Sequence, residues 1–360
     1  MTYLKGAEFD AVVIILRGQP LTEGHGAQIK RAAEKGKTVV MLVGSSNRIR
    51  GQRNPFTYEE RKEMIRAYLA TLKIEDIQER VRILPLPDRV YDLTAWLQQV
   101  HSLVIHALFD SPFSRRIAIA GHASDNSADY KDMFPQWEFL PMPGAKEIEA
   151  TQLRDKYLAG AVQFDDWWKA RAPETTIAFL HQFRGTAAYG ELLADREAII
   201  AGKAKYGEGP FVAADAMLVQ SGNVLLIERG KRPSQGAWAL PGGFLDADKK
   251  ETLYDCAIRE LFEETAIGET GLTKRDLGHF YRGRDTFDDP YRSERGIIIS
   301  GAFIFELPPA FALPAVRGTD DAQSAFWKPL AEVEPTRMFD DHSAIIETLL
   351  PRLSNPNGGR

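Results

Sequence analysis

Residues 259–264 read Arg-Glu-Leu-Phe-Glu-Glu, a short stretch with the side chains to hold a metal ion. On a helix, residues three and four apart share a face, so Glu260 meets both Glu263 and Glu264. Carboxylates crowded on one exposed face repel each other, and a divalent cation relieves that repulsion. An all-oxygen ligand set suits Mg²⁺, which takes a few carboxylates and completes its shell with substrate phosphates. Leu253, Ala257 and Leu261 recur every fourth residue and give the same helix an apolar stripe. The bland alternative is a solvated acidic helix with an internal Arg–Glu pair. Asp248 followed by Glu251 reads as a helix capping box, an ordinary structural role for Glu251.

A second chemical candidate lies near the N-terminus. Asp10 to Leu16 is a short apolar run rich in β-branched residues, hence a buried strand. A turn-rich stretch follows, and a helix is predicted from about Gly26 to Lys35, with Ile29, Ala32 and Ala33 on one face. Lys37 to Val43 is the next strand. This is a βαβ unit, which implies a parallel sheet and places ligands at the carboxyl ends of strands. His25 falls at the helix start, where free N–H groups and partial positive charge attract phosphate. The alternative for His25 is a plain turn residue.

Two resemblances sharpen these readings. Gly243, Glu251, Arg259, Glu260, Leu261, Glu263, Glu264 and Ile267 match the Nudix box, preceded by a fitting lead-in, Trp238-Ala-Leu-Pro-Gly-Gly243. The segment between Gly243 and Glu251 is longer than the family's, and Ala266 stands where the family has a glycine, a mild change unless that position needs positive φ. Arg17, Gln19, Pro20, Gly24 and His25 resemble the nucleotide-binding motif of nicotinamide mononucleotide adenylyltransferases. Residues 44–50, 54–61, 121–125 and 148–154 resemble later segments of that family, in its order. Departures are Leu16, Gly18, Thr22, Ser124 and Glu149, with Arg48 or Arg50 as candidate compensating cations.

Together these segments resemble, nearly end to end, bifunctional enzymes that join the two activities. The resemblance implies an α/β chain: an N-terminal Rossmann-like nucleotidyltransferase domain with a parallel sheet (residues 1–195), then a C-terminal α/β/α Nudix domain with a mixed sheet (206–360). A helical pattern from Tyr189 to Lys205 spans the boundary. The implied reactions are adenylyl transfer from ATP to nicotinamide mononucleotide, giving NAD and pyrophosphate, and hydrolysis of ADP-ribose to AMP and ribose 5-phosphate. Mg²⁺ is the implied cofactor, with Mn²⁺ as substitute.

For the transfer, the resemblance assigns His25, Thr22 and Arg154 to the phosphates and Arg17, Gly24, His122, Asp125 and Thr151 to the nucleotide. For the hydrolysis, Glu260, Glu263 and Glu264 hold metal, Arg259 orients a carboxylate, and Arg292 and Arg295 lie on a substrate loop (287–296). Solvent exposure is the alternative for those two arginines. Met338-Phe-Asp-Asp-His342 resembles the entry to the C-terminal helix. The general base is not readable. One other function stays open here, a nucleotide sensor with a degenerate first domain; adenylyl transfer to another phosphate acceptor is allowed by Thr22 but not by the other three segments.

Composition sets the bounds. A chain of 360 residues is long for one core. A net charge of −5 gives no general attraction to nucleic acid or acidic lipid. The lone cysteine, Cys256, excludes internal disulfides, fits a reducing compartment and reads as core packing. Trp137, Trp167 and Trp168 also read as core. No run is long enough to span a membrane, and no signal-peptide pattern opens the chain, so a cytoplasmic location is expected. A homo-oligomer is compatible with the sequence. The polar tail, 354–360, reads as disordered.

Overall fold

A computed structural model of the chain describes residues 7–109, 115–121, 129–142, 150–160 and 163–354. His122, Ser124, Asp125, Glu149 and the tail after residue 354 lie outside the described residues.

In the first unit, Met1–Leu193, strands and helices alternate. The order is β1 (Phe9–Leu16), α1 (Glu23–Lys35), β2 (Gly36–Val43), α2 (Tyr58–Thr71), α3 (Ile77–Arg80), β3 (Val81–Pro85), α4 (Leu93–Ala107), β4 (Ile117–Gly121), α5 (Tyr130–Met133), β5 (Glu138–Pro141), α6 (Ala150–Leu158), α7 (Asp166–Lys169) and α8 (Glu174–Phe183). The five strands run parallel in the order β3-β2-β1-β4-β5, a Rossmann-like sheet. Apolar residues buried on both faces of β1 dictate this. Val12, Ile14 and Leu16 pack toward α1 and α2, while Ala11 and Val13 pack toward Val100 and Val104 of α4. Each fully buried Val or Ile contributes about 1.5–3 kcal/mol. Trp137 and Trp168 are core residues, as expected, and Trp137 stacks on Phe134 at 4.9 Å.

The second unit, Ala194–Arg360, begins inside α9 (Ala187–Tyr206). Its strands are β6 (Phe211–Gln220), β7 (Asn223–Arg229), β8 (Trp238–Ala239), β9 (Gly242–Phe244), β10 (Tyr281–Phe287), β11 (Ile298–Glu306) and β12 (Ala322–Pro329). They form one mixed sheet with the path β10-β11-β6-β7-β12; β8 joins β7 and β9 joins β6. Only β6 and β11 pair in parallel among these strands. The helices are α10 (Leu253–Thr265), α11 (Lys274–Phe280), α12 (His342–Leu349) and α13 (Pro351–Ser354). Cys256, Ala257, Ile258 and Leu261 of α10 fill the core against Ala214, Ala216 and Leu218 of β6. Burial pushes the Cys256 thiol up to about 12, so it is a packing residue.

Two local expectations are corrected. The N-cap of α10 is Thr252, whose hydroxyl accepts from Asp255 N–H at 3.2 Å in a capping box. Asp248 and Glu251 do not cap it, because Glu251 is drawn to Arg259 instead. The acidic face of α10 is also not exposed throughout: Glu264 is only 4% accessible. Ala266 caps the helix at φ +51°, the left-handed conformation for which the family's glycine is suited.

Candidate functional site

The first site gathers at the carboxyl end of β1. That strand pairs with both β2 and β4, so the strand order reverses beside it and leaves a crevice suited to a ligand. Thr22 is the N-cap of α1: its hydroxyl accepts from His25 N–H at 3.2 Å. His25 Nδ1 in turn accepts from Thr22 N–H at 3.1 Å. The neutral ring therefore carries its proton on Nε2, the form that donates to an anion. Thr22 itself is buried with its hydroxyl engaged by His25, so it orients the histidine rather than reaching outward.

Arg154 of α6 comes to the same loop. It is buried, donating to Gln19 O at 3.1 Å and Thr151 Oγ1 at 3.3 Å. Gln19 also clamps the loop before α2, exchanging two bonds with Phe56. Arg17 is exposed at the strand end, and Gly24 lies in the first turn of α1. So the structure assembles Arg17, Thr22, Gly24, His25, Thr151 and Arg154 around one loop. Arg48 is paired with Asp88 at 3.0 Å, and Arg50 with Glu60 at 2.9 Å.

Arg61 was missed in the sequence. It is 1% accessible and donates to the carbonyls of Arg17 (2.7 Å), Gly44 (2.6 Å), Ser45 (3.3 Å) and Thr57 (3.2 Å). It ties the ends of β1 and β2 to α2. Burial lowers its pKa to about 10, where it still carries its charge at neutral pH.

The second site is a cavity of about 660 Å³ within the second unit. Glu260 and Glu264 of α10 line it with Asp215, Asp320, Asp321, Arg229, Arg295 and Phe339. The double glycine before the helix makes this approach feasible. A methyl group on Gly242 would overlap Asp215, and one on Gly243 would overlap the Glu260 carboxylate. Glu264 accepts from Gly242 N–H at 2.9 Å. Burial, with Glu260 adding repulsion, holds its pKa up at about 8. Glu260 is also raised by burial, against the pull of Arg259.

Arg259 is a clamp for carboxylates. It donates to Glu251 at 2.7 Å, Glu260 at 2.7 Å and Glu263 at 2.9 Å. Glu251 is held down at about 2 chiefly by this bond. Glu263 is pulled to Arg259 and toward Lys249, is exposed, and is not among the residues that line the cavity. Among the described residues, no three His, Cys, Asp or Glu side chains converge as a ready-made metal cage.

Arg292 is not solvent-exposed: it lines the cavity and donates from Nε and Nη2 to Asp341 at 2.9 and 2.8 Å in a buried pair. Arg295 lies over Phe339 at 4.8 Å and reaches Asp340 at 3.3 Å.

Both parts of the chain match known families. Residues 209–349 match the NUDIX domain, and residues 19–154 match the cytidylyltransferase-like family. A nicotinamide/nicotinic acid mononucleotide adenylyltransferase of Acinetobacter baylyi is 33% identical over 186 residues, 51% of this chain and 92% of that protein. An ADP-ribose pyrophosphatase of Methanocaldococcus jannaschii is 33% identical over 138 residues, 38% of this chain and 72% of that protein. The crystal structure of a bifunctional NMN adenylyltransferase/ADP ribose pyrophosphatase from Francisella tularensis is 32% identical, covers 95% of this chain and 99% of that one, and superposes with a TM-score of 0.85. This chain belongs to that bifunctional family. The same Francisella protein has been solved complexed with AMP and Mn ion, with a TM-score of 0.84.

A divalent cation fits this family member's cavity on its own donor chemistry. Glu260, Glu264, Asp320 and Asp321 are hard oxygen donors; after burial, repulsion from Glu260 and Asp321 helps raise the Glu264 pKa. A complete cage is not needed, because Mg²⁺ usually keeps waters and takes substrate phosphates. Asp320 and Asp321 were not singled out in the sequence. Their loop docks on the end of α10, where Arg317 N–H reaches Thr265 O and Thr319 N–H reaches Glu264 O, each at 3.1 Å. His342 and Asp215 were missed too. His342 Nδ1 accepts from Leu240 N–H at 3.0 Å, so Nε2 keeps the proton and faces Asp215 at 3.8 Å. Burial lowers the His342 pKa. In this tautomer the ring donates and is not a general base. Asp215 left a readable trace, a lone acid inside the apolar strand 211–220.

Proposed function

We propose that the first unit transfers the adenylyl group of ATP to nicotinamide mononucleotide. A phosphate oxygen of the mononucleotide attacks the α-phosphorus; the bond to the β-phosphate oxygen breaks, and NAD and pyrophosphate leave. Such chemistry needs alignment and dispersal of charge more than covalent help. His25 donates from Nε2 to the ATP phosphates, Thr22 holds that ring, and Arg17 and Arg154 supply positive charge around the same loop. The observation that carries this reading is the His25 ring locked by Thr22 at a helix start beside the strand-order reversal.

The second unit hydrolyses ADP-ribose: water attacks the diphosphate, giving AMP and ribose 5-phosphate. Glu260 and Glu264 are the residues that would hold Mg²⁺ or Mn²⁺. A cation held there would neutralise the diphosphate and make water easier to deprotonate. Arg259 positions Glu260 and does not touch substrate. Arg229 and Arg295 supply positive charge for the phosphates. The presence of Glu260 and Glu264 in one acid-lined cavity supports turnover rather than sensing. The lone cysteine and the use of ATP fit a reducing, cytoplasmic setting.

The test is incubation of the chain with ATP, Mg²⁺ and nicotinamide mononucleotide, and separately with ADP-ribose, with chromatographic separation of products. NAD in the first and AMP in the second are expected. Unchanged ATP in the first overturns the transferase reading, and unchanged ADP-ribose in the second overturns the hydrolase reading.

A further inference from the structure

The wall of the hydrolase cavity includes a stretch that neither family match covers. Ala198, Ile199, Gly202 and Tyr206 of α9 line it, whereas the NUDIX match begins at residue 209. The segment is anchored at both ends within the second unit. Asp195, buried, accepts from Arg232 Nη1 at 2.7 Å and from Ser234 N–H at 2.9 Å. Beyond the helix, Glu208 O accepts from Ile297 N–H at 2.8 Å, and Phe211 N–H donates to Ile297 O at 2.9 Å. From Asp195, the four lining residues fall three, four, seven and eleven positions on, which is one helix face. The wall is therefore held in place and is not a slack connection.

All four lining residues are uncharged, while the rest of the cavity is rich in charge. A phosphate gains nothing from such a wall. A sugar's hydroxyls need polar partners, and a nucleobase offers a broad apolar face that suits aliphatic and aromatic side chains. Gly202 is the telling position. A Cβ there would meet nothing within 4 Å, so space stands open in front of it. Glycine inside a helix costs about 1 kcal/mol relative to alanine, and no packing against the protein explains its place here.

We propose that α9 is the base-recognition wall of the hydrolase cavity and that Gly202 leaves the room a purine needs. This rests on the reading of the second unit as an ADP-ribose hydrolase. The test is Gly202→Phe in the full chain, with Gly202→Ala as a folding control. Calorimetric titration with ADP-ribose and with ribose 5-phosphate, in EDTA, reads binding without turnover. Hydrolysis in Mg²⁺ reads KM and kcat. The Phe variant should weaken ADP-ribose binding and raise its KM by about tenfold or more, with kcat changed by less than about threefold. Ribose 5-phosphate binding should stay as in the wild type, and the Ala variant, which puts one methyl group into the same space, should weaken ADP-ribose binding less than the Phe variant does. Unaltered ADP-ribose affinity in the Phe variant, or equal weakening of both ligands, overturns the proposal. Wild-type binding without hydrolysis would overturn the hydrolase reading alone, and the Phe variant would still decide the wall. A wild type that binds no ADP-ribose overturns both.

Discussion

Glu264 is a carboxylate buried beside other carboxylates, and its proton reports on the cation site. It keeps that proton up to about pH 8. An exposed Glu releases it near pH 4.3, to about one unit. Between these values the folded chain holds a proton that the unfolded chain has lost, so metal-free stability falls as pH rises through the window. A bound cation takes the proton's place. Mg²⁺ should therefore raise the melting temperature of the second unit more at about pH 8.5 than at about pH 6. Thermal melts with Mg²⁺ and with EDTA check this, and equal shifts at both pH values would contradict it. Glu264→Gln should remove the pH-dependent part and lower ADP-ribose hydrolysis by roughly 10²-fold or more, the scale of losing one preorganised charge-stabilising group.

The box helix shows what an element adds to its residues. The spacing of Glu260, Glu263 and Glu264 was legible, because helical periodicity fixes which side chains share a face. Their separate fates were not. Arg259, one turn earlier on the same helix, draws Glu263 outward, whereas the burial of Glu264 depends on segments elsewhere in the chain, such as the strand that carries Gly242. The Glu251 cap was misread because Thr252, one residue later, has its own partner in Asp255. Ala266 sits at φ +51°, where a Cβ costs about 1–2 kcal/mol. Ala266→Gly should stabilise the second unit by about 1 kcal/mol, a rise of about 2–4 °C in melting temperature for a unit of this size. An unchanged or lower melting temperature would show that the strain is absorbed elsewhere. Glu251 adds an acid-sensitive tie. Its pKa is depressed to about 2, so the stability from its Arg259 bond is present above the ordinary Glu range and fades as pH falls toward that value.

At the scale of the whole chain, the alternating strands, the parallel first sheet and both motif clusters could be read from local pattern. What local pattern left out are long-range pairs: Arg61 on four carbonyls, Arg292 on Asp341, and His342 on Leu240. No periodicity announces such contacts, since each joins segments whose proximity only the fold creates. The part of α9 that the sequence left between domains proves to belong to the second unit. The central claim is that one chain carries two separate reactions, each with its own residues. The most direct measurement is both assays on the wild type, His25→Ala and Glu264→Gln, with products resolved by chromatography. His25→Ala should lose adenylyl transfer by roughly 10²-fold and keep ADP-ribose hydrolysis, while Glu264→Gln does the reverse. Loss of both reactions in either variant, or full retention of both, would contradict the account.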